Sequence, residues 1–162
     1  MHEPKTAQIV LRPATMEDCR RVWEWRNEPA NQPFFFDSSD IPFEDHQRWF
    51  STKIQASDTR IFVAVDKDNR SVGYVRFSIT EDQAEISVAV DKTQRGKGYG
   101  TAAIKQGSDQ LLATGAARLI VALVKQDNPA SIAAFQRAGF AISSQKVVDD
   151  TDVCEMVYAG VE

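Results

Sequence analysis

Gln94-Arg-Gly-Lys-Gly-Tyr-Gly100 lies between a β-rich stretch, Ala84 to Val90 (AEISVAV), and a helical one that runs to about Thr114. Glycine recurs in it at positions 96, 98 and 100. Without Cβ atoms these residues reach φ > 0, so successive amide N–H groups can turn into one concavity. The helix that follows adds its unpaired N-terminal amides and the positive end of its dipole. Arg95 and Lys97 add charge. The segment therefore reads as a seat for a diphosphate, with a ligand-free glycine-rich turn as the plainer alternative. Its GxGxG spacing fits neither the GxGxxG of a dinucleotide fold nor a Walker A loop, because Lys97 precedes Gly98 instead of following the last glycine.

Upstream of the loop, Arg60 to Val65, Ser71 to Ile79 (SVGYVRFSI) and Ala84 to Val90 read as three strands. The turns between them, Asp66-Lys-Asp-Asn69 and Thr80-Glu-Asp-Gln83, are short, so the meander is antiparallel. Before it come a strand at Thr6 to Arg12, stopped by Pro13, and two helices. One opens at a capping box, Thr15-Met-Glu-Asp18, and runs to about Asn27; the other starts at Pro42 and runs to about Gln55. Residues 28–41 read as irregular, and Phe34-Phe35-Phe36 within them as a substrate lid or as core. Downstream, Leu119 to Val124 is a buried strand. Asn128 caps a helix that has Pro129 at its first position and ends at Gly139. Phe140 to Gln145 and Val153 to Ala159 close the chain as a hairpin. The order βααβββαβαββ implies an α+β fold with a mixed, mostly antiparallel sheet of about seven strands and about four helices.

Composition narrows the function. The 162 residues, 43% hydrophobic and 26% charged, suit one domain spanning residues 1–162. A net charge of −4 argues against general nucleic-acid binding. The longest apolar run, Leu119 to Val124, is far too short to span a bilayer, and residues 1–10 lack the pattern of a secretory signal. Cys19 and Cys154, with no CxxC, read as reduced thiols of a cytoplasmic protein. His2 and His46 are the only histidines, so no metal site is expected.

Arg95-Gly-Lys-Gly98-Tyr-Gly100 resembles the [Q/R]xxGx[G/A] signature of the GNAT acetyltransferase superfamily. Asn128-Pro-Ala-Ser-Ile-Ala-Ala-Phe-Gln-Arg-Ala-Gly-Phe140 is similar to that family's Asn-initiated helix ending in Gly-Phe, and the element order agrees along nearly the whole chain. The resemblance implies acetyl-CoA as co-substrate and direct transfer to an amine in a ternary complex. It places the pantetheine arm against Val88, Ala89 and Val90, and the pyrophosphate on Arg95, Gly96, Lys97, Gly98, Tyr99, Gly100 and Thr101. Asn128, Ser131 and Phe135 would line the arm. For Asn128, helix capping alone remains the other reading.

Transfer to an amine needs a base, a polarised carbonyl and a leaving thiolate. Glu85 lies where glutamate-using members carry theirs and is the candidate base, against the alternative of a solvent-facing strand carboxylate. Alternation puts Glu85, Ser87 and Ala89 on one face of the strand. Many relatives carry a tyrosine at the position of Phe135 to protonate the thiolate. Phe135 cannot, so Ser131, one turn earlier, or water takes that part here. A thiol of pKa around 8.5 leaves without a dedicated acid at a cost of about 2 kcal/mol.

The acceptor half is read from Arg26, Asn27, His46 and Trp49, which either bind substrate or only pack. Leu11-Arg-Pro13, Trp25-Arg-Asn27 and Ile41-Pro-Phe-Glu-Asp-His46 resemble a GNAT subgroup that acetylates the 4-amino group of UDP-linked aminodideoxy sugars in pseudaminic-acid-type pathways. The expected partner is then a small-molecule amine, first of all a nucleotide-linked aminosugar. A homodimer is left open. The alternatives are a protein N-terminus or other small amine as acceptor, and a non-catalytic acetyl-CoA-binding module.

Overall fold

Seven strands form one sheet in the order β1-β2-β3-β4-β5-β7-β6. They are β1 (Ile9–Pro13), β2 (Thr59–Asp66), β3 (Ser71–Thr80), β4 (Gln83–Val90), β5 (Leu119–Lys125), β6 (Ala141–Val148) and β7 (Thr151–Tyr158). Among the described residues four helices cover it: α1 (Cys19–Asn27), α2 (Phe43–Lys53), α3 (Tyr99–Thr114) and α4 (Pro129–Arg137). The structure, a computed structural model, describes residues 8–29 and 40–160. Phe34-Phe35-Phe36 lies outside the described residues. The α+β class and the element order expected from the sequence both hold. No helix among the described residues is long and apolar enough to cross a membrane.

The boundaries shift where backbone pairing overrides local signals. Pro13, expected to stop the first strand, is its last member and lies opposite Phe62. A proline lacks an N–H, and an edge strand such as β1 tolerates that. The capping box opens a short 3-10 turn, Met16–Asp18, before α1 begins. The Asp18 carboxylate accepts the Thr15 N–H at 2.8 Å and a two-pronged bond from the Arg12 guanidinium, both arms 2.8 Å. Burial would raise the Asp18 pKa, but these bonds outweigh it and hold the carboxyl below its ordinary value.

Each sheet face has its own core. Against α3 and α4 lie Phe77, Ile104, Leu111, Ile120 and Met156. Against α1 and α2 lie Val22, Trp25, Phe50, Val63, Tyr74 and Ala89. Alternation along β4 divides its side chains accordingly. Ala84 and Ile86 enter the first core, while Ala89 enters the second. Glu85, Ser87 and Ala89 therefore face α1 and α2.

Gly73 sets the spacing between β3 and β4. A Cβ at this position would meet the Ala89 carbonyl oxygen at 2.4 Å. Only glycine permits so close an approach of two backbones.

The only parallel pairing among the described strands joins β4 to β5, and it is short. Gln83, Ala84 and Glu85 pair with Leu119, Ile120 and Val121, and there the register ends. β5 goes on pairing with β7 as far as Lys125, and β4 with β3 as far as Val90. The two central strands thus share three residue pairs and then fork.

Candidate active site

A cleft of about 850 Å³ occupies the fork. Val88, Ala89 and Val90 line one wall, and Leu123, Val124 and Lys125 the other. Their edge-facing backbone groups lack a neighbouring strand, so the walls can bond an amide-bearing chain laid between them.

One mouth is the glycine loop. Gly96 has φ +79° and Gly98 has φ +83°, a left-handed conformation that L side chains rarely adopt. Gly98 is the N-cap of α3. The first amide to find an intrahelical carbonyl is that of Ala102, which donates to Gly98 O at 3.1 Å. The N–H groups of Tyr99, Gly100 and Thr101 have no carbonyl one turn back, and all three residues line the cleft. Arg95, Gly96 and Gly98 line it too. Lys97 does not; its ammonium donates to Gln94 Oε1 at 2.9 Å on the surface. Free amides, left-handed glycines and a helix dipole together suit a phosphate pair.

α4 forms the floor. Asn128 Oδ1 accepts the Ser131 N–H at 3.2 Å, so the capping reading is real, and the side-chain NH₂ is left as its donor. Ser131 and Phe135 both line the cleft. Phe135 is 4% exposed and packs edge-on against Phe140, ring centroids 5.1 Å apart.

Glu85 lies at the apex of the fork, the last β4 residue paired to β5. It is exposed and lines the cleft from the side of α1 and α2. Around it are residues the sequence reading missed. Arg76 lies opposite Ser87, and Tyr74 opposite Ala89, on the same sheet face. The Arg76 guanidinium donates to Ser87 Oγ at 3.2 Å and rests 5.2 Å from the Trp49 ring centroid. All five residues line the cleft. Alternation in SVGYVRFSI marks Tyr74, Arg76 and Ser78 as one face, but only the β3–β4 register shows that this face meets Glu85.

Three of the four acceptor residues expected from the sequence come together. Arg26, His46 and Trp49 line the cleft beside Tyr74. Asn27 does not. Its amide donates to the Ile41 carbonyl at 2.8 Å and accepts the Ile41 N–H at 2.9 Å. It pins the entry to α2 and places Ile41, which does line the cleft.

His46 is 3% exposed, with its Nε2 3.0 Å from the Cys19 carbonyl oxygen. A carbonyl only accepts, so Nε2 carries the proton and Nδ1 is the free acceptor. Its ring stacks on Phe50 at 5.5 Å. Burial, joined by the nearby Arg26 charge, holds its pKa below the ordinary 6.5, although the Cys19 carbonyl pulls it the other way. Burial raises the Tyr74 pKa despite the charges of Arg76 and Arg26, so the phenol keeps its proton at neutral pH.

The depressed His46 pKa has a sign. Below pH 6.5 the unfolded chain binds a proton that the folded chain refuses, so stability is lost as pH falls through the folded value. Thermal unfolding between pH 7.5 and 5 should show a decline of at most about 1.4 kcal/mol per pH unit from this group. His46→Gln should flatten that decline. An identical slope in the variant would contradict the assignment.

The sequence profile of the acetyltransferase (GNAT) domain matches residues 8–141. No curated protein sequence matches the chain. Among solved structures, spermidine N-acetyltransferase from Vibrio cholerae, in complex with CoA and spermine, superposes with a TM-score of 0.85 at 20% identity, over 93% of this chain and 95% of that one. Aminoglycoside acetyltransferase AAC(6')-Ib, in complex with coenzyme A and kanamycin, superposes with a TM-score of 0.80 at 18% identity, over 94% and 95%.

Proposed function

The chain belongs to the acetyltransferase (GNAT) family and is an N-acetyltransferase, and we propose that it transfers the acetyl group of acetyl-CoA to the primary amine of a small molecule by direct attack in the forked cleft. The observation that carries this reading is the placement of a phosphate cradle at one mouth of the fork and a carboxylate, Glu85, at its apex. The similar structures support the reading, since two of them are complexes of the coenzyme with a small amine, spermine in one and kanamycin in the other.

Each group has a task. Arg95, Gly96 and Gly98 to Thr101 hold the pyrophosphate. Val88, Ala89 and Val90 offer backbone bonds to the pantetheine arm, and the NH₂ of Asn128 offers another. Glu85 takes the proton from the attacking nitrogen, directly or through one water. The amine attacks the thioester carbonyl, the carbon–sulfur bond breaks, and the sulfur leaves as thiolate. Phe135 has no proton to give. Ser131 is the hydroxyl of α4 placed to supply one. Neither cysteine enters the chemistry, because Cys19 and Cys154 are both buried outside the cleft. Two buried free thiols suit a cytoplasmic setting.

Among small amines we put first the 4-amino group of a UDP-linked aminodideoxy sugar. What supports it is the gathering of Arg26 and Trp49 in the cleft, a cation for phosphate and an aromatic face for a ring. Calorimetry with acetyl-CoA and an acceptor-dependent assay of free thiol test the reading. We expect heat of binding at micromolar coenzyme and thiol release only with an amine present. No heat at millimolar coenzyme would end it.

A further inference from the structure

We propose that the acceptor carries an anionic group, carboxylate or phosphate, and that Arg76, seated between the face of Trp49 and the hydroxyl of Ser87, binds it. This rests on the acetyltransferase reading and adds to it the chemical class of the substrate.

Arg76 is half-buried in the acceptor part of the cleft. Its contacts are Ser87 Oγ and the Trp49 ring, and it takes part in no ion pair among the described residues. The other cleft-lining acids do not neutralise it. Asp45 is engaged by Arg48 at 2.5 Å, and Glu85 forms no ion pair among the described residues. A guanidinium drawn partly out of water without a counter-charge is costly, and it presents a planar fork that matches carboxylate or phosphate. Trp49 and Ser87 leave part of that fork open toward the cleft while fixing its plane.

The neighbourhood adds to the positive field. Arg26 and Tyr74 line the same part of the cleft as Arg76. His46 stays neutral beside them. Among the described residues of this half of the cleft, neither Asp45 nor Glu85 answers the charge of Arg76. A polycation would meet repulsion there, whereas an amine with an attached anion finds both charges answered.

Spacing defines the acceptor further. Arg76 lies opposite Ser87, two residues along β4 from Glu85, and side chains two apart on a strand stand about 6–7 Å from one another. An amine held at Glu85 thus has its anion a few bonds away. Short ω-amino acids and aminosugar phosphates both have this form.

The test uses the intact protein saturated with CoA and reads thermal shift against paired probes. One arm pairs γ-aminobutyrate with its methyl ester. The other pairs glucosamine 6-phosphate with glucosamine, and spermidine serves as the polycation. We expect the anionic member of at least one pair to stabilise the protein with an apparent affinity at least tenfold above its neutral partner and above spermidine. The responding arm tells carboxylate from phosphate. Arg76→Met should abolish the difference and Arg76→Lys retain part of it, while the shift produced by CoA itself stays unchanged and reports an intact fold. Equal shifts for charged and neutral partners, a preference for spermidine, or a preference that survives Arg76→Met would each overturn the proposal. So would the absence of any shift from both anionic probes. Failure of CoA to bind the wild-type protein would strike the acetyltransferase reading instead.

Discussion

Glu85→Gln should lower kcat by about 100-fold or more while leaving the affinity for acetyl-CoA within about twofold. The substitution keeps size and shape and removes only the capacity to accept a proton. Glu85 faces away from the core built on α3 and α4, and it is exposed, so the fold has little at stake. Its backbone pairing with Val121 stays the same in the variant. Steady-state kinetics and calorimetry on one preparation separate the two effects. Unaltered turnover at every pH would demote Glu85 to a solvated strand carboxylate and return the search for the base to the water around the fork.

The second large effect concerns stability. Gly73→Val should cost about 3 kcal/mol, or roughly 6–12 °C in Tm. The added Cβ would lie 2.4 Å from the Ala89 carbonyl oxygen, a backbone atom that cannot rotate away. Relief requires β3 and β4 to part where Tyr74 faces Ala89. That movement displaces Val88, Ala89 and Val90 together, so coenzyme binding should weaken with stability. A Tm within about 2 °C of wild type would show that the close approach is easily relaxed.

The part of this molecule that sequence reveals is the part governed by local rules. The meander was readable because Asp66-Lys-Asp-Asn69 and Thr80-Glu-Asp-Gln83 are turns on their own account, with Asn69 and Glu81 at positive φ. The glycine loop and the Asn128 cap carry their geometry within a few residues. Of the residues assigned there to the coenzyme, all but Lys97 line the cleft. Acceptor residues obey no such rule. Arg76 and Ser87 meet only through the β3–β4 register. Asn27 sits next to Arg26 in sequence, yet it spends its amide on the Ile41 backbone, a use that depends on where α2 begins. His46 lines the cleft, but the Cys19 carbonyl and the Phe50 ring hold it, so it helps form the wall without offering a mobile platform. The start of α1 shows a smaller version of the same limit. Thr15 and Asp18 announce a cap, but Arg12 from the neighbouring strand completes it.

The three-pair junction between β4 and β5 has a mechanical consequence. Strands β1 to β4 and strands β5 to β7 are two plates joined along a short seam, and α3, through Lys105 and Asp109, is bonded across it to Tyr158 of β7. On the function proposed here, a coenzyme arm lodged between them would take the place of the missing rungs. Loading the donor substrate should thereby stiffen the enzyme, and amide hydrogens at residues 86–90 and 122–125 should exchange with solvent far more slowly once the gap is filled.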